Sequence, residues 1–456
     1  MPIDTTTLEG NRFAALLTEL GDRQERCNRL DRYYRGDPDV PWGPEGCQDA
    51  FRRFARKARA NWASLIVEAP RERLQVTGFR TGDASDDLAD TEADRIWRAN
   101  NLPAGSQLLH RAKMSMADAY VIVGDPDDEI GAPLITVEDP RQVITAHDPR
   151  DRRRTVAGLK AFVDDSGDDV AYLYLPGRVL TARRTHSGAT DGLSFDTGGW
   201  EWTREVTSEI PAVRVIRFTN RADMFGRSMG EFEDVVDDID RINLMLLQRL
   251  TVAVMQAFRQ RAVKGDLPER DTEGEVIDYA NIFRNDPGAL WQLPEGVEMW
   301  ESAGVNLTPL LESVKADVRD LAATTRTPMF YLFPDAANGS AEGASLQREG
   351  LVFKARDRIL EASDPWERVM ALAFRVAGDE ARADRSKMTV LWQPPERFSL
   401  AEQYDAAVKA KAADVPWRTI MTDVLQFEPS KVDQMEAQRF SEAFLTDGLA
   451  AGANAG

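Results

Sequence analysis

Gly230 to Gly265 reads GEFEDVVDDIDRINLMLLQRLTVAVMQAFRQRAVKG, and the rest of the chain is organised around it. Apolar residues fall at Phe232, Val235, Val236, Ile239, Ile242, Leu246, Leu250, Ala253, Val254, Ala257 and Phe258. That three-and-four rhythm is one helix face with almost no breaker inside it. At 1.5 Å per residue the run predicts a rod of roughly 45–50 Å. Asp237, Asp238, Asp240, Arg241, Gln248, Arg249 and Gln256 interrupt it well short of the about 18 apolar residues a membrane span needs. The heptads are too few and too irregular for a long coiled coil. The rod reads as a strut inside an assembly.

After it, Lys264 to Glu298 holds nine acids against three bases and is punctuated by Pro and Gly. NIFRNDPGALWQLPEG (281–296) reads as two small strands with a turn at Asp286–Gly288, and Trp291 and Trp300 as core of this small tip. Thr308 and Pro309 then make an N-cap and first-turn pair opening a second rod, PLLESVKADVRDLAATTR. A short connection makes the two rods antiparallel neighbours.

Upstream, Asn11–Tyr34 predicts an amphipathic helix, and Gln48–Glu72 a second whose basic run (Arg52, Arg53, Arg56, Lys57, Arg59) reads as a solvated face. Asp86–Asn100 and Pro103–Tyr120 predict further helices, running into the apolar strand AYVIVG. From Leu134 to Asn220 the period changes to two: LITVEDP, QVITAHDP, AGLKAFVDD, VAYLYLPG, RVLTARRT, WEWTREV and VRVIRFTN form a mostly antiparallel sheet. Downstream, TPMFYLFPDAANGSAEG (327–343) is read as an irregular, mobile loop. Ala344–Gly378 is helical, with Asp364-Pro365 restarting it as N-cap and first-turn proline at a kink. MTVLWQPP is a strand, three short helices follow, and LAAGANAG is expected to be disordered. The fold class is α+β, predominantly helical.

The 456 residues carry a net charge of −19 with 43% hydrophobic residues. That acidity argues against tight, general polyanion binding, which needs Lys and Arg to neutralise phosphates. Cys27 and Cys47 alone fit a reducing compartment and supply no disulfide or metal framework. The first thirty residues lack the basic-then-apolar order of a signal peptide, so the protein is expected to act inside the cell that makes it, or in a particle assembled there.

Chemistry is sparse. Gly226-Arg227-Ser228-Met229-Gly230 matches the G-x-S-x-G nucleophile elbow, which makes a serine hydrolase using Ser228 the alternative reading. However, NRADMF separates the motif from its strand, and His110, His147 and His186 all precede Ser228. Asp237, Asp238 and Asp240 diverge around one helix, with Arg241 placed as ion-pair partner of Asp237, so they form a solvated face and not a metal site. No P-loop pattern and no clustered His occur. Neither a cofactor nor catalysis is expected.

Several stretches together resemble a known family. These are RLDRYYRGD with FRRFARKARANWASLIVEAPRERLQVTGFR; EDPRQVITAHDPRDRRRTVAGLKAF with YLYLPGRV; FGRS before the long helix; TRTPMFYL…NGSAEGASL; and SLAEQYDAAVKA…VPWRTIMTDVLQFEPSKVDQME. In this order they resemble the SPP1-type portal proteins of actinobacterial siphophages, over about residues 12–440. The resemblance implies an α/β wing (1–228), a first stem helix (229–265), a small α/β clip (266–305), a second stem helix (306–327), a tunnel loop (328–343), a kinked wing helix with strand (344–396), and a crown with tail (397–456). It implies a virion protein without enzymatic activity: a homo-oligomeric ring of twelve at one capsid vertex, in contact with major capsid protein and scaffold. Double-stranded DNA would pass through it, weakly held and without sequence reading, during packaging and ejection. The terminase large subunit, then head-completion or adaptor proteins, would dock on the clip through Asp266, Glu269, Asp271, Glu273, Glu275, Asp278 and Asp286. No membrane is implied. A head–tail adaptor is a further alternative, although adaptors are much shorter and lack a helix–tip–helix stem. Phe330, Asn338, Gly339, Ser340 and Glu342 would face DNA from the tunnel loop. Portal channels often carry lysine rings there, whereas Pro328–Gly343 has no basic residue; Lys315, Arg319, Arg326 and Arg348 are the nearest basic candidates.

Overall fold

The computed structural model describes the chain except residues 41–53, 83–88, 186–191, 258–260, 271–272, 280–295, 302, 333–340, 397–398, 429–430 and 443–456; for 255, 257, 261 and 341–348 it describes backbone alone. The chain divides into two compact units. A larger one comprises Met1–Arg35, Ala63–Asp234 and Thr325–Gly456, and a smaller one Gly36–Trp62 and Val235–Thr324.

The larger unit opens with α1 (Leu8–Asp22), capped where the Thr7 hydroxyl accepts from the Gly10 amide at 3.1 Å. The expected single helix over 11–34 is two, because Arg23 separates α1 from α2 (Gln24–Tyr34). Arg23 turns its guanidinium inward, donating to Tyr120 Oη at 2.9 Å and to the Pro140 carbonyl. The expected helix over 48–72 is likewise broken: residues 54–58 are helical, and α3 follows only at Trp62–Arg71. Strand β1 (Val76–Arg80) precedes α4 (Thr91–Ala99), which Asp90 caps by accepting from the amides of Glu92 and Ala93. Helix α5 (Leu102–Met116) follows.

All seven expected strands of the period-two region form, but they build two sheets rather than one. Strands β2 (Asp118–Asp127), β3 (Ala132–Glu138) and β9 (Val215–Thr219) pair in the order β3-β2-β9. Strands β4 (Val143–His147), β5 (Thr155–Val163), β6 (Asp169–Leu175), β7 (Arg178–Arg184) and β8 (Glu201–Thr207) form an antiparallel meander in chain order. Residues 118–123 of β2 are buried on both faces, which is why this strand reads as an unbroken apolar run. Helix α1 lays Phe13, Leu16, Leu17 and Leu20 on the five-stranded sheet, with Phe13 edge-on to Trp200 at 5.3 Å.

Among the described residues of the expected rod, the α-helix is α6 of the smaller unit (Val236–Ala257, 22 residues), preceded by a 3-10 turn at Glu233–Val235; α6 is about 33 Å long. The rod's expected last turn is instead strand β10 (Arg261–Lys264), paired antiparallel with β11 (Glu298–Glu301). Gly265 has φ +139°, and a Cβ there would lie 3.1 Å from the Gly296 carbonyl; the chain therefore leaves the strand through a backbone that favours glycine. Helix α7 (Thr308–Thr325) returns. Its first amide is taken not by Thr308 but by the Asn306 side chain, 3.0 Å from Thr308 N, so the capping function lies two residues earlier than the sequence predicts. Arg241 Nε meets Asp317 of α7 at 3.3 Å, and Gln256 Nε2 donates to the Val305 carbonyl at 2.8 Å. These ties at opposite ends run the two helices antiparallel. Arg241 also pairs with Asp238 at 2.9 Å rather than with Asp237. Ala55 and Ala58 pack on Leu247, leaving Arg56 and Lys57 exposed; Arg59, expected on the same solvated face, is instead half-buried and paired with Asp37, and Arg52 and Arg53 lie outside the described residues. Trp300 is 56% exposed and not core; Trp291 and the turn at 286–288 lie outside the described residues.

The chain re-enters the larger unit at Thr325. The loop expected over 327–343 is in part regular: Met329–Leu332 is a helical turn, α8, and α9 (Ala341–Val376) begins before that loop was expected to end. α9 runs 36 residues with Pro365 inside it. Asp364 is not a cap but pairs with Arg368 at 2.7 Å and Arg385 at 2.6 Å, and the helix continues past it. Trp366, fully buried, meets Trp97 and Phe218 edge-on, each at 4.8 Å, joining α9 to α4 and the three-stranded sheet in the main core. Strand β12 (Thr389–Trp392) pairs with β1. Helix α10 (Leu400–Ala412) begins in a full capping box of Ser399 and Glu402, and a π-helical turn (Ile420–Val424) and a helix over 431–442 complete the described chain.

Candidate functional site

Two features stand apart from ordinary packing: the acidic tip of the smaller unit and a buried charge junction in the larger one. At the tip, Ile277 N donates to the Glu269 carbonyl at 3.1 Å and Tyr279 Oη to the Pro268 carbonyl at 2.7 Å. This tightens the turn and leaves Asp266, Glu269, Glu273, Glu275 and Asp278 exposed; Asp271 and Asp286 lie outside the described residues. Met299, Trp300 and Val276 are exposed among them.

The sequence-predicted tunnel residues are not gathered into one described site. Phe330 is half-buried on α8, with its ring 4.7 Å from that of Tyr331. Asn338, Gly339 and Ser340 lie outside the described residues, and Glu342 and Arg348 are described as backbone of α9. Lys315 pairs with Glu312 at 3.0 Å on α7, Arg319 is exposed one turn on, and Arg326 is exposed with φ +53° just past the helix end.

The junction was not foreseen. Gly230 sits so close to the C-terminus of α5 that a Cβ would fall 2.8 Å from the Ser115 carbonyl, and the next amide, of Glu231, donates to the Met114 carbonyl at 2.7 Å. This drives Glu231, whose side chain is 1% exposed, into the interior, where Lys354 Nζ meets it at 2.9 Å and Arg358 Nε closes on its other oxygen. Lys354 also donates to the Thr325 carbonyl at 3.1 Å. One lysine of α9 thus joins the two places where the chain leaves and re-enters the larger unit. Glu361, two turns beyond Lys354 on α9, accepts from the Arg221 amide at 3.2 Å and faces the fully buried Lys113 Nζ at 3.6 Å. Arg221 pairs with Asp234 at 2.7 Å.

Burial alone would raise the Glu231 carboxyl, but Lys354 and Arg358 outweigh it and hold it at about 2. Burial pushes Lys113 down to about 8, only partly opposed by Glu361. Lys354 is also lowered by burial, against the pull of Glu231. Lys354, Arg358 and Glu361 recur at i, i+4 and i+7, one helix face, among the buried Leu351, Ala355 and Ala362. A run of charges on the apolar side of a helix was the available signal.

Ser228 is held inside a hydrogen-bond network of its own. It is buried; its hydroxyl donates to Asp118 Oδ2 at 2.9 Å and accepts from Arg217 at 3.2 Å, so its proton is committed to a carboxylate and no imidazole is among these partners. Gly226, at φ +75°, belongs to a turn closed by the Asp223 carboxylate, which accepts from Phe225 and Arg227 amides at 2.8 Å. Among the described residues no group of His, Cys, Asp or Glu could hold a metal ion, and no helix is long and apolar enough to cross a membrane.

A mixed α+β fold, with two antiparallel helices flanking an acidic tip in the smaller unit and a buried charge cluster in the larger, is the frame in which the chain's relatives are read. The chain belongs to the family described as phage portal protein, SPP1 Gp6-like, whose model matches residues 16–443. It is also similar to the portal protein of Mycobacterium phage D29, 29% identical over 373 residues that cover 77% of this chain and 72% of that one. The portal protein of Mycobacterium phage L5 is 28% identical over the same extent.

Proposed function

We propose that this portal-family chain is the repeating subunit of a twelve-fold ring at one vertex of a phage capsid, the conduit for double-stranded DNA during packaging and ejection. In this reading residues 1–228, with α9 and β12, form the wing, α6 and α7 the stem, 266–305 the clip, 328–343 the tunnel loop and the C-terminal helices the crown. The clip receives the terminase large subunit and later the head-completion proteins, while the wing meets major capsid protein and scaffold. The observation that carries the reading is the antiparallel pair α6–α7 bearing an exposed acidic tip. Family membership and the relatives' names support it.

The charge balance agrees with a conduit. A wall built from copies of a −19 chain repels the duplex, so few phosphate contacts have to break at each step. A tunnel loop that meets the duplex through Asn338, Ser340 and backbone follows it without reading bases. Light scattering on the full-length protein is the direct test. Twelve copies of a 50.9 kDa chain give a closed ring of roughly 600 kDa, and a stable monomer or dimer that shows no central opening in stained images defeats the proposal. Deleting Ala336–Ser340 should leave the ring intact while lowering packaged DNA.

A further inference from the structure

A cavity of about 550 Å³ opens in the larger unit between the segment 151–155, the segment 211–216 and α9 from Asp364 to Arg375. Its lining carries five arginines, Arg153, Arg154, Arg368, Arg375 and Arg385, against two aspartates, Asp151 and Asp364. The aspartates are already engaged: Asp151 with Arg153 at 3.1 Å, and Asp364 with both Arg368 and Arg385. Among the described residues Arg154 meets no carboxylate, and Arg375 meets Glu380 only at 3.8 Å. No acceptor reaches the buried Nε of Arg368. Burial and the neighbouring Arg385 and Arg153 charges depress the Arg368 guanidinium, despite Asp364 beside it. The floor is apolar, built from Val213, Val215, Ile216, Ala371 and Leu372. A cleft with three positive charges in excess is out of keeping with a chain of net charge −19.

Arginine forks match carboxylates in paired, planar geometry, and a floor of aliphatic side chains gives no advantage to a bare anion. Arginine forks match phosphates as well, but the cleft adds no helix N-terminus to them, since α9 meets it with its middle turns. Duplex DNA is bound by side chains reaching out to a convex backbone, which leaves a concave apolar floor unfilled. We propose that this cleft docks an acidic segment of another protein, its carboxylates on the arginine rim and a leucine-sized side chain on the floor. The proposal does not rest on the conduit reading, since it concerns a surface of the single chain.

The test is fluorescence anisotropy on the full-length protein with a labelled dodecapeptide alternating aspartate and leucine. Binding should weaken about tenfold in the double variant Arg154→Glu, Arg375→Glu, and again as salt is raised. Arg154→Lys with Arg375→Lys keeps the charge but loses the fork, and should weaken binding by an intermediate amount, about threefold. If the charge-reversed protein does not fold, Arg154→Gln with Arg375→Gln takes its place, with a smaller loss expected. Poly-aspartate without leucine should bind more weakly than the alternating peptide. Equal binding by wild type and the reversed or neutralised variant overturns the proposal. Displacement by duplex DNA or by millimolar phosphate overturns it in favour of a phosphate site, and loss of self-association on adding peptide assigns the cleft to a second copy instead.

Discussion

The junction around Glu231 and the tip around Glu273 both concentrate charge, yet they use it in opposite ways. At the junction the carboxylate is taken out of water and two cations follow it in; at the tip Asp266, Glu269, Glu273, Glu275 and Asp278 stay in solvent. Desolvation makes the first arrangement sensitive to the loss of any one partner, whereas the second loses little when a member is removed. Charge thus holds the chain together at one place and faces solvent at the other.

The sharpest way to break this contrast is Glu231→Leu, which strands Lys354 and Arg358 in the interior. It should cost about 3–5 kcal/mol in denaturant melts. Combined with Lys354→Met and Arg358→Leu it should recover most of that loss, and failure to recover would falsify the view that the penalty comes from unpaired charge. Next, Lys113→Met should stabilise the fold at neutral pH by on the order of 3 kcal/mol, because a lysine held at about 8 instead of its ordinary 10.5 is costly while protonated. The unfolded chain binds the extra proton between those values, so wild-type stability rises from pH 8 to 10.5 and the advantage of the variant shrinks across the same window. Gly230→Ala, which sets a methyl against the Ser115 carbonyl, should cost about 1–3 kcal/mol.

The Glu231 contribution has its own pH signature. Its carboxyl is depressed on folding, so the stability it supplies is present above 4.5 and is lost as pH falls towards about 2. The difference between wild type and Glu231→Gln should close over that interval. The smallest thermal effect belongs to the tip: neutralising Glu273, Glu275 and Asp278 together should move the melting temperature by less than about 2 °C. If the clip reading holds, the same change weakens terminase binding in a pull-down with intact rings.

Periodicity and punctuation were enough to find the seven strands of 134–219, the two helices of the arm, and the α9 helix, since each depends on neighbours within a few residues. The order of stretches along the chain was enough to indicate the portal family. Tertiary structure alone decided that the strands divide into two sheets, that β1 pairs with β12 from more than 300 residues away, and that 261–264 leaves the helix to pair with 298–301. The same holds for Lys354, which reads as one more polar helix residue until Glu231 and Thr325 are brought to it. Local propensity is summed over adjacent residues. The worth of a buried charge, by contrast, depends on a dielectric and on partners that exist only once distant segments have packed.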